Sequence, residues 1–178
     1  MLPERVLALP IALRPIEMRD APRVQLLAGE REVAETTAQI PHPYPDGAAE
    51  AWIATQGRTA AGEHSYAVTL SEDGLLIGAI GFRPGAGEHG HLGYWIGRPY
   101  WGRGYATLAA RAVTAVGFHC LDVDELTAWH LARNAASGRV LEKCGFRLLR
   151  TELRFHRGSA QACCLRGITR GAWEGLWR

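Results

Sequence analysis

Lysine is almost missing from this chain. Of its 20 lysine and arginine residues only Lys143 is a lysine, and the arginines are scattered rather than grouped. With 18 acidic residues the formal net charge is only +2, so nothing in the charge pattern marks a nucleic-acid partner. Long apolar runs are missing too. None approaches the roughly 20 residues that a helix needs to cross a bilayer. Residues 5–13 have the apolar character of a short signal peptide. However, Pro10 interrupts them, Arg14, Glu17 and Arg19 follow at once, and no small-residue cleavage site is present. They read better as an opening β-strand. Cysteine is sparse and unpatterned: Cys120, Cys144, Cys163 and Cys164 form no C-x-x-C pair, which argues against a zinc site. Adjacent helical residues diverge by about 100°, so His119 and Cys120 do not aim at one point. Cys163 and Cys164, adjacent in an apparent strand, should face opposite ways. All four are expected to be inert thiols of a cytoplasmic protein without a metal. Repeats, linkers and low-complexity tracts are absent, and 178 residues suffice for one domain spanning 1–178 with a real core.

What is there reads as a mixed α+β fold. A first strand is expected at 5–14. Asp20 before Ala21-Pro22 then starts a helix to about Leu27, and 30–39 can form a second. Residues 40–45 are too proline-rich for a helix, and Asp46 is expected to cap a third, running to about Thr59. Ser71-Glu72-Asp73-Gly74 separates two apolar stretches as a hairpin turn would. A glycine-rich turn at 84–90 leads to a strand over about 91–97. A helix at about 106–120, a strand at 125–129, a helix at about 135–143 and strands near 146–156 and 162–169 complete the pattern. The sheet should therefore have six to seven mostly antiparallel strands, closed by a βαβα crossover.

The densest chemical signal runs from Tyr94 to Thr107. Tyr94-Trp95-Ile96 ends a strand, Pro99 marks a turn, and Trp101-Gly102-Arg103-Gly104-Tyr105-Ala106-Thr107 leads into the helix-forming run Leu108-Ala109-Ala110-Arg111. Such a loop exposes backbone N–H groups at the positive end of a helix dipole. Glycine lets a phosphate approach the backbone closely. A plain strand-to-helix turn with two glycines reads the same way. The triphosphate-binding loop needs a Lys followed by Ser or Thr, and Tyr105-Ala106 stand there instead. The dinucleotide loop needs a third glycine, and Thr107 occupies its place, although Asp122 and Asp124 lie near the spacing of a ribose-binding acid. A second segment follows the apolar strand at 126–129. In it Asn134 and Ser137 both suit a helix start, Val140 and Leu141 give an apolar face, and Gly145 is placed for a left-handed C-terminal cap.

Together, W-G-R-G-Y-A-T and N-A-A-S-x-x-V-L-E-K-C-G-F resemble the GNAT acetyltransferase superfamily, and within it the RimJ/RimL-type branch. Arg5-Val6-Leu7-Ala8-Leu9 with Leu13-Arg14-Pro15 resembles that branch's opening strand. Pro41-His42-Pro43-Tyr44-Pro45, followed by Ala51-Trp52-Ile53, resembles its loop and third helix. The resemblance covers nearly the whole chain. It implies transfer of an acetyl group from acetyl-CoA, as cosubstrate, to an amine by direct attack in a ternary complex. The amine is that of a protein N-terminus or a small molecule, in a monomer or homodimer with no nucleic-acid or membrane partner. It implies further that Trp101, Gly102, Arg103, Gly104, Tyr105, Ala106 and Thr107 cradle the pyrophosphate, and that Tyr94, Trp95 and Ile96 pair with the pantetheine arm. Asn134 would lie beside that arm, and Ser137 would stabilise the departing thiolate. Many relatives carry a tyrosine for that task at the position of Leu141, which cannot perform it. Glu88, His89, His91, His130, Glu152 and His156 are candidates for the base. An unbroken strand puts His89 and His91 on the face of Trp95, and Glu88 with Tyr94 and Ile96; the bulge that the resemblance implies in this strand would reverse that. The loop at 41–45, with His42, Tyr44 and Trp52, is the expected acceptor side. A catalytically inactive acyl-CoA-binding or sensor domain is the alternative, and a nicotinamide enzyme a more distant one.

Overall fold

The structure, a computed structural model, describes residues 3–37, 39–56, 63–84, 89–120 and 123–176. Eight strands form one sheet in the order β1-β2-β3-β4-β5-β6-β8-β7. They are β1 (Val6–Ala8), β2 (Ile11–Pro15), β3 (His64–Leu70), β4 (Leu76–Pro84), β5 (His89–Ile96), β6 (Glu125–Leu131), β7 (Arg147–His156) and β8 (Ser159–Thr169). Every pairing is antiparallel except β5 with β6. The mixed α+β class therefore stands, with one strand more than the sequence suggests. The extra strand comes from Pro10. Proline has no N–H to continue a ladder, and the expected strand at 5–14 folds back there, pairing Val6 with Leu13 and Ala8 with Ile11.

Helices cover both faces. On one, α4 (Tyr105–Cys120) and α5 (Ala135–Lys143) bury Ala109, Val113, Phe118 and Leu141 against Leu13, Val68, Ile80, Leu92 and Ile96. On the other, α1 (Ala21–Ala28) and α3 (Ala48–Thr55) bury Val24, Leu27, Ala49 and Ile53 against Ala67 and Leu76. Each fully buried Leu, Ile or Phe stabilises the fold by about 1.5–3 kcal/mol, and these two layers fix the sheet between them. A short helix α2 (Arg31–Thr36) ends early because the Thr36 and Thr37 hydroxyls donate back to the Val33 and Ala34 carbonyls. Helix α3 begins after Gly47, whose φ is +78°, and no side chain caps it; Asp46 is not its cap. A final helix α6 (Arg170–Gly175), not anticipated from the sequence, is capped by the Thr169 side chain accepting from the Ala172 N–H. Among the described residues no helix is long and apolar enough to cross a membrane.

Candidate active site

The parallel pairing of β5 with β6 stops at Leu92 and Ala128. Strand β5 goes on pairing with β4 as far as Ile96, and β6 with β8 as far as Leu131. The two strands diverge from there, so among the described residues no strand lies beside the β6-facing edge of residues 93–96. A cavity of about 720 Å³ fills the divergence. Tyr94, Trp95, Ile96, Trp101, Gly102, Gly104, Tyr105, Ala106, Thr107, Asn134 and Ser137 all border it. Arg103 is exposed and stands outside the lining.

The loop at 101–104 has the conformation its glycines permit. Gly102 and Gly104 have φ of +76° and +81°, the left-handed region that side chains disfavour. A Cβ added at either would meet no protein atom within 4 Å, so the space in front of the backbone is open. Among the described residues the N–H groups of 102–106 have no acceptor in the protein, while the Gly104 carbonyl accepts from the Thr107 and Leu108 N–H groups. The Trp101 indole donates to the Ile96 carbonyl at 2.6 Å, tying the loop to the end of β5. An array of free N–H donors at a helix start suits an anion.

Helix α5 supplies the opposite wall. Asn134 is its N-cap, and its Oδ1 accepts from the Ser137 N–H at 3.1 Å. The helix closes as the sequence suggests: Gly145 has φ of +88°, and the Phe146 N–H returns to the Leu141 carbonyl at 3.0 Å, the bond that satisfies an end carbonyl. Across the cavity the Tyr94 hydroxyl lies 2.8 Å from Ser137 Oγ. Burial pushes the Tyr94 phenol up to about 12, against the lowering effect of its bond to Ser137. Leu141 is fully buried in the core. Cys144, whose thiol lies 3.7 Å from the Thr107 carbonyl, is held up at about 11 by burial, far from thiolate formation. Burial likewise raises Cys163, and all four cysteines are free.

Strand β5 pairs with β4 without a register break from Gly90 to Ile96. His91 therefore shares a face with Trp95, and it borders the cavity. Its Nδ1 lies 3.1 Å from Thr127 Oγ1, and that hydroxyl donates to the Gly90 carbonyl at 3.3 Å. With the hydroxyl proton on that carbonyl, the Thr127 oxygen accepts from Nδ1, and the neutral ring leaves Nε2 as an acceptor. Burial, with the charges of Arg83 and Arg154, lowers the His91 pKa to about 4. Among the other described candidate bases His130 alone also borders the cavity. His89 is half exposed, with its Nδ1 3.2 Å from a Glu125 carboxylate oxygen. His130 has both nitrogens engaged, one with the Leu131 carbonyl and one with the Arg166 Nε–H. Glu152 pairs with Arg150 at 2.8 Å. His156 is buried away from the cavity, and Glu88 lies outside the described residues.

On the expected acceptor side, Pro41, Tyr44 and Trp52 line the cavity, and His42 is exposed outside it. Among the described lining residues Glu63 is the one carboxylate, and it lies 3.4 Å from Arg83. Trp129 completes this wall, with the Arg154 guanidinium 4.2 Å from its ring centroid. The sequence reading passed over Thr127 and the hydroxyl of Tyr94. Both belong to pairings between distant segments, for which no local spacing is a sign.

The family signature of the acetyltransferase (GNAT) domain matches residues 11–147. YjcK of Bacillus subtilis, a probable N-acetyltransferase, is 33% identical over 87 residues, which is 47% of this chain and 48% of YjcK. The chain spans about half the length of the curated relatives it matches. RimL, the ribosomal L7/L12 α-N-protein acetyltransferase solved with coenzyme A, superposes with a TM-score of 0.84 at 13% identity, over 95% of this chain and 99% of that one. RimJ of Mycobacterium smegmatis, solved with a coenzyme A disulfide, superposes with a TM-score of 0.80 at 22% identity, over 94% and 88% of the two chains. At these identities the likeness to solved structures is one of fold. The matched signature covers most of the chain and both of its site-bearing helices: the protein belongs to the GNAT acetyltransferase superfamily.

Proposed function

We propose that this protein transfers the acetyl group of acetyl-CoA to a primary amine within a ternary complex. The observation that carries this reading is the divergence of β5 from β6, with the glycine loop at its end. The open backbone edge of 93–96 suits the amide groups of a pantetheine arm, which add to it as a further strand would. The free N–H groups of 102–106 suit the pyrophosphate. Acetyl-CoA supplies an activated thioester, and the protein has to hold it, receive a neutral amine and stabilise the leaving thiolate. Ser137 Oγ is assigned the last task, with Asn134 fixing the serine backbone.

His91 is assigned to the amine. At any pH above about 5 its ring is neutral, and Nε2 accepts a hydrogen bond that orients the nucleophile. With a pKa of about 4 it is too weak to strip a proton from an ammonium of pKa ~8 or ~10. The amine must therefore shed its proton to solvent, which favours an α-amine over a lysine side chain. The single carboxylate among the described lining residues stands beside an arginine, so those residues supply no net negative charge for a polycation. We therefore assign the acceptor to a protein or peptide α-amine, or to an amino-acid-like amine. The test is a panel of N-terminal peptides, amino-acid amides and polyamines with acetyl-CoA, read by thiol release. Release with the α-amines supports the assignment. Coenzyme binding with no release from any amine would leave a binding domain.

A further inference from the structure

Ser137 is a weak donor by itself, and its surroundings supply what it lacks. Both acceptors within reach of the Tyr94 phenol belong to Ser137: Oγ at 2.8 Å and the carbonyl oxygen at 3.4 Å. A serine in a first helical turn often spends its proton on a preceding backbone carbonyl. Here Tyr94 is the partner of Ser137 Oγ, and no such back-bond is formed among the described residues. Of the two hydroxyls the phenol is the stronger acid and the alkyl alcohol the better acceptor. With the phenol donating to Oγ, the serine proton is left unspent on the wall of the cavity that both residues line.

We propose that Tyr94 is the positioning residue of the thiolate site: its phenol donates to Ser137 Oγ and turns the serine proton toward the coenzyme sulfur. This rests on the acetyl-transfer reading above. The tyrosine comes from the sheet rather than from α5, where the position one turn past Ser137 is the buried Leu141. As the carbon–sulfur bond breaks, its electron pair passes to sulfur and Ser137 donates a hydrogen bond to the charge that forms. Neither hydroxyl gives up its proton. Burial holds the phenol protonated to about pH 12, so Tyr94 acts as an oriented dipole, and solvent delivers the proton that makes the free thiol. The Asn134 side chain fixes the serine backbone from the other side, so Ser137 is held between a cap and a phenol.

The experiment is a calorimetric titration of free coenzyme A and of desulfo-coenzyme A into the wild type, Tyr94→Phe, Ser137→Ala and the double variant. It is run well below and well above the ~8.5 at which an ordinary thiol ionises. Desulfo-coenzyme A reports every pH effect that does not involve the sulfur. In the wild type the affinity advantage of coenzyme A over its desulfo analogue is expected to grow by about tenfold at the higher pH, because a hydrogen bond to a charged acceptor is the stronger one. That growth should shrink severalfold in Tyr94→Phe, vanish in Ser137→Ala and fall no further in the double variant. Turnover should show kcat reduced by about tenfold in Tyr94→Phe with KM for acetyl-CoA unchanged, as for an interaction that strengthens only as charge develops. Unchanged low-pH affinity is the control for folding. Tyr94→Phe with wild-type kcat and an undiminished thiolate preference overturns this inference alone. A wild type that binds no coenzyme A, or never releases thiol, overturns the acetyl-transfer reading and this inference with it.

Discussion

A histidine held neutral by its surroundings leaves a mark on stability as well as on chemistry. His91 has a folded pKa near 4 against ~6.5 for the unfolded chain. Between those values the unfolded state binds a proton that the folded state does not. Stability is therefore complete above about pH 6.5 and declines as pH falls toward 4, by roughly 3 kcal/mol at most from this residue. Urea unfolding of the wild type and His91→Gln across that range should show the variant with the flatter profile. At Gly104 the backbone is left-handed and the space before it open. Gly104→Val should cost about 1–2 kcal/mol of backbone strain and weaken coenzyme A binding by more than tenfold, because the side chain projects into the anion site. Calorimetry and thermal melts separate the two effects, and unchanged affinity in the folded variant would remove the loop from the site. Ser137→Ala should lower kcat by about tenfold or more with coenzyme affinity near wild type below the thiol pKa. Asn134→Ala should instead destabilise the protein by about 1 kcal/mol, the usual cost of a lost N-cap.

The short link between β2 and α1 is tied by one ion pair. Arg14 binds Asp20 through both guanidinium nitrogens, at 2.7 and 2.8 Å, and the Glu17 N–H donates to the same carboxylate at 2.9 Å. Burial pushes the Asp20 carboxyl up, but the Arg14 and Glu17 bonds and the nearby arginine charges outweigh it, and the net pKa is lowered. Its stabilisation is thus present above the ~3.9 of a free aspartate and is lost as pH falls through the lower folded value. Asp20→Asn should destabilise the fold by about 2–4 kcal/mol at neutral pH, since it leaves Arg14 half-buried without its counter-charge, with a smaller penalty in acid. At this scale the sequence was most readable where an element carries its own punctuation. Helix α5 runs from Ala135 to Lys143 as expected, because Asn134 and Gly145 are local start and stop signs. The expectation of one strand over 5–14 fails at Pro10, which ends one ladder and sits at the tip of the hairpin between β1 and β2. Asp46 looked like a cap, but the chain enters α3 through a left-handed Gly47 that places no side chain over the first turn. The glycine loop and α5 were legible for the same local reason. The pairings Tyr94 with Ser137 and His91 with Thr127 span 43 and 36 residues, and only the sheet order brings their partners together.

Charge and topology act across the whole molecule. The acceptor wall, with one carboxylate beside an arginine among its described residues, leads to a direct comparison: kcat/KM for short peptides with free N-termini should exceed that for spermidine at least tenfold. The reverse order would place acidic groups in the site that the described residues do not supply. Reactivity with an α-amine should also climb with pH until the amine's own pKa of ~8 and then level, with no inflection assignable to His91 above pH 5. Among the described residues the parallel seam between β5 and β6 is four residue pairs long, His89–Leu92 with Glu125–Ala128, and it is the one strand pairing there that joins the N-terminal five strands to the C-terminal three. A cosubstrate that adds to the open edge beyond that seam does more than dock: it bridges the two halves, and every turnover removes the bridge and rebuilds it. On the proposed reading, release of coenzyme A means peeling a strand-like partner from the sheet, a conformational step of the kind that often limits kcat. The kinetic signature is a burst of acetylated product in the first turnover, strong inhibition by free coenzyme A, and amide exchange at residues 93–96 that slows when the coenzyme is bound.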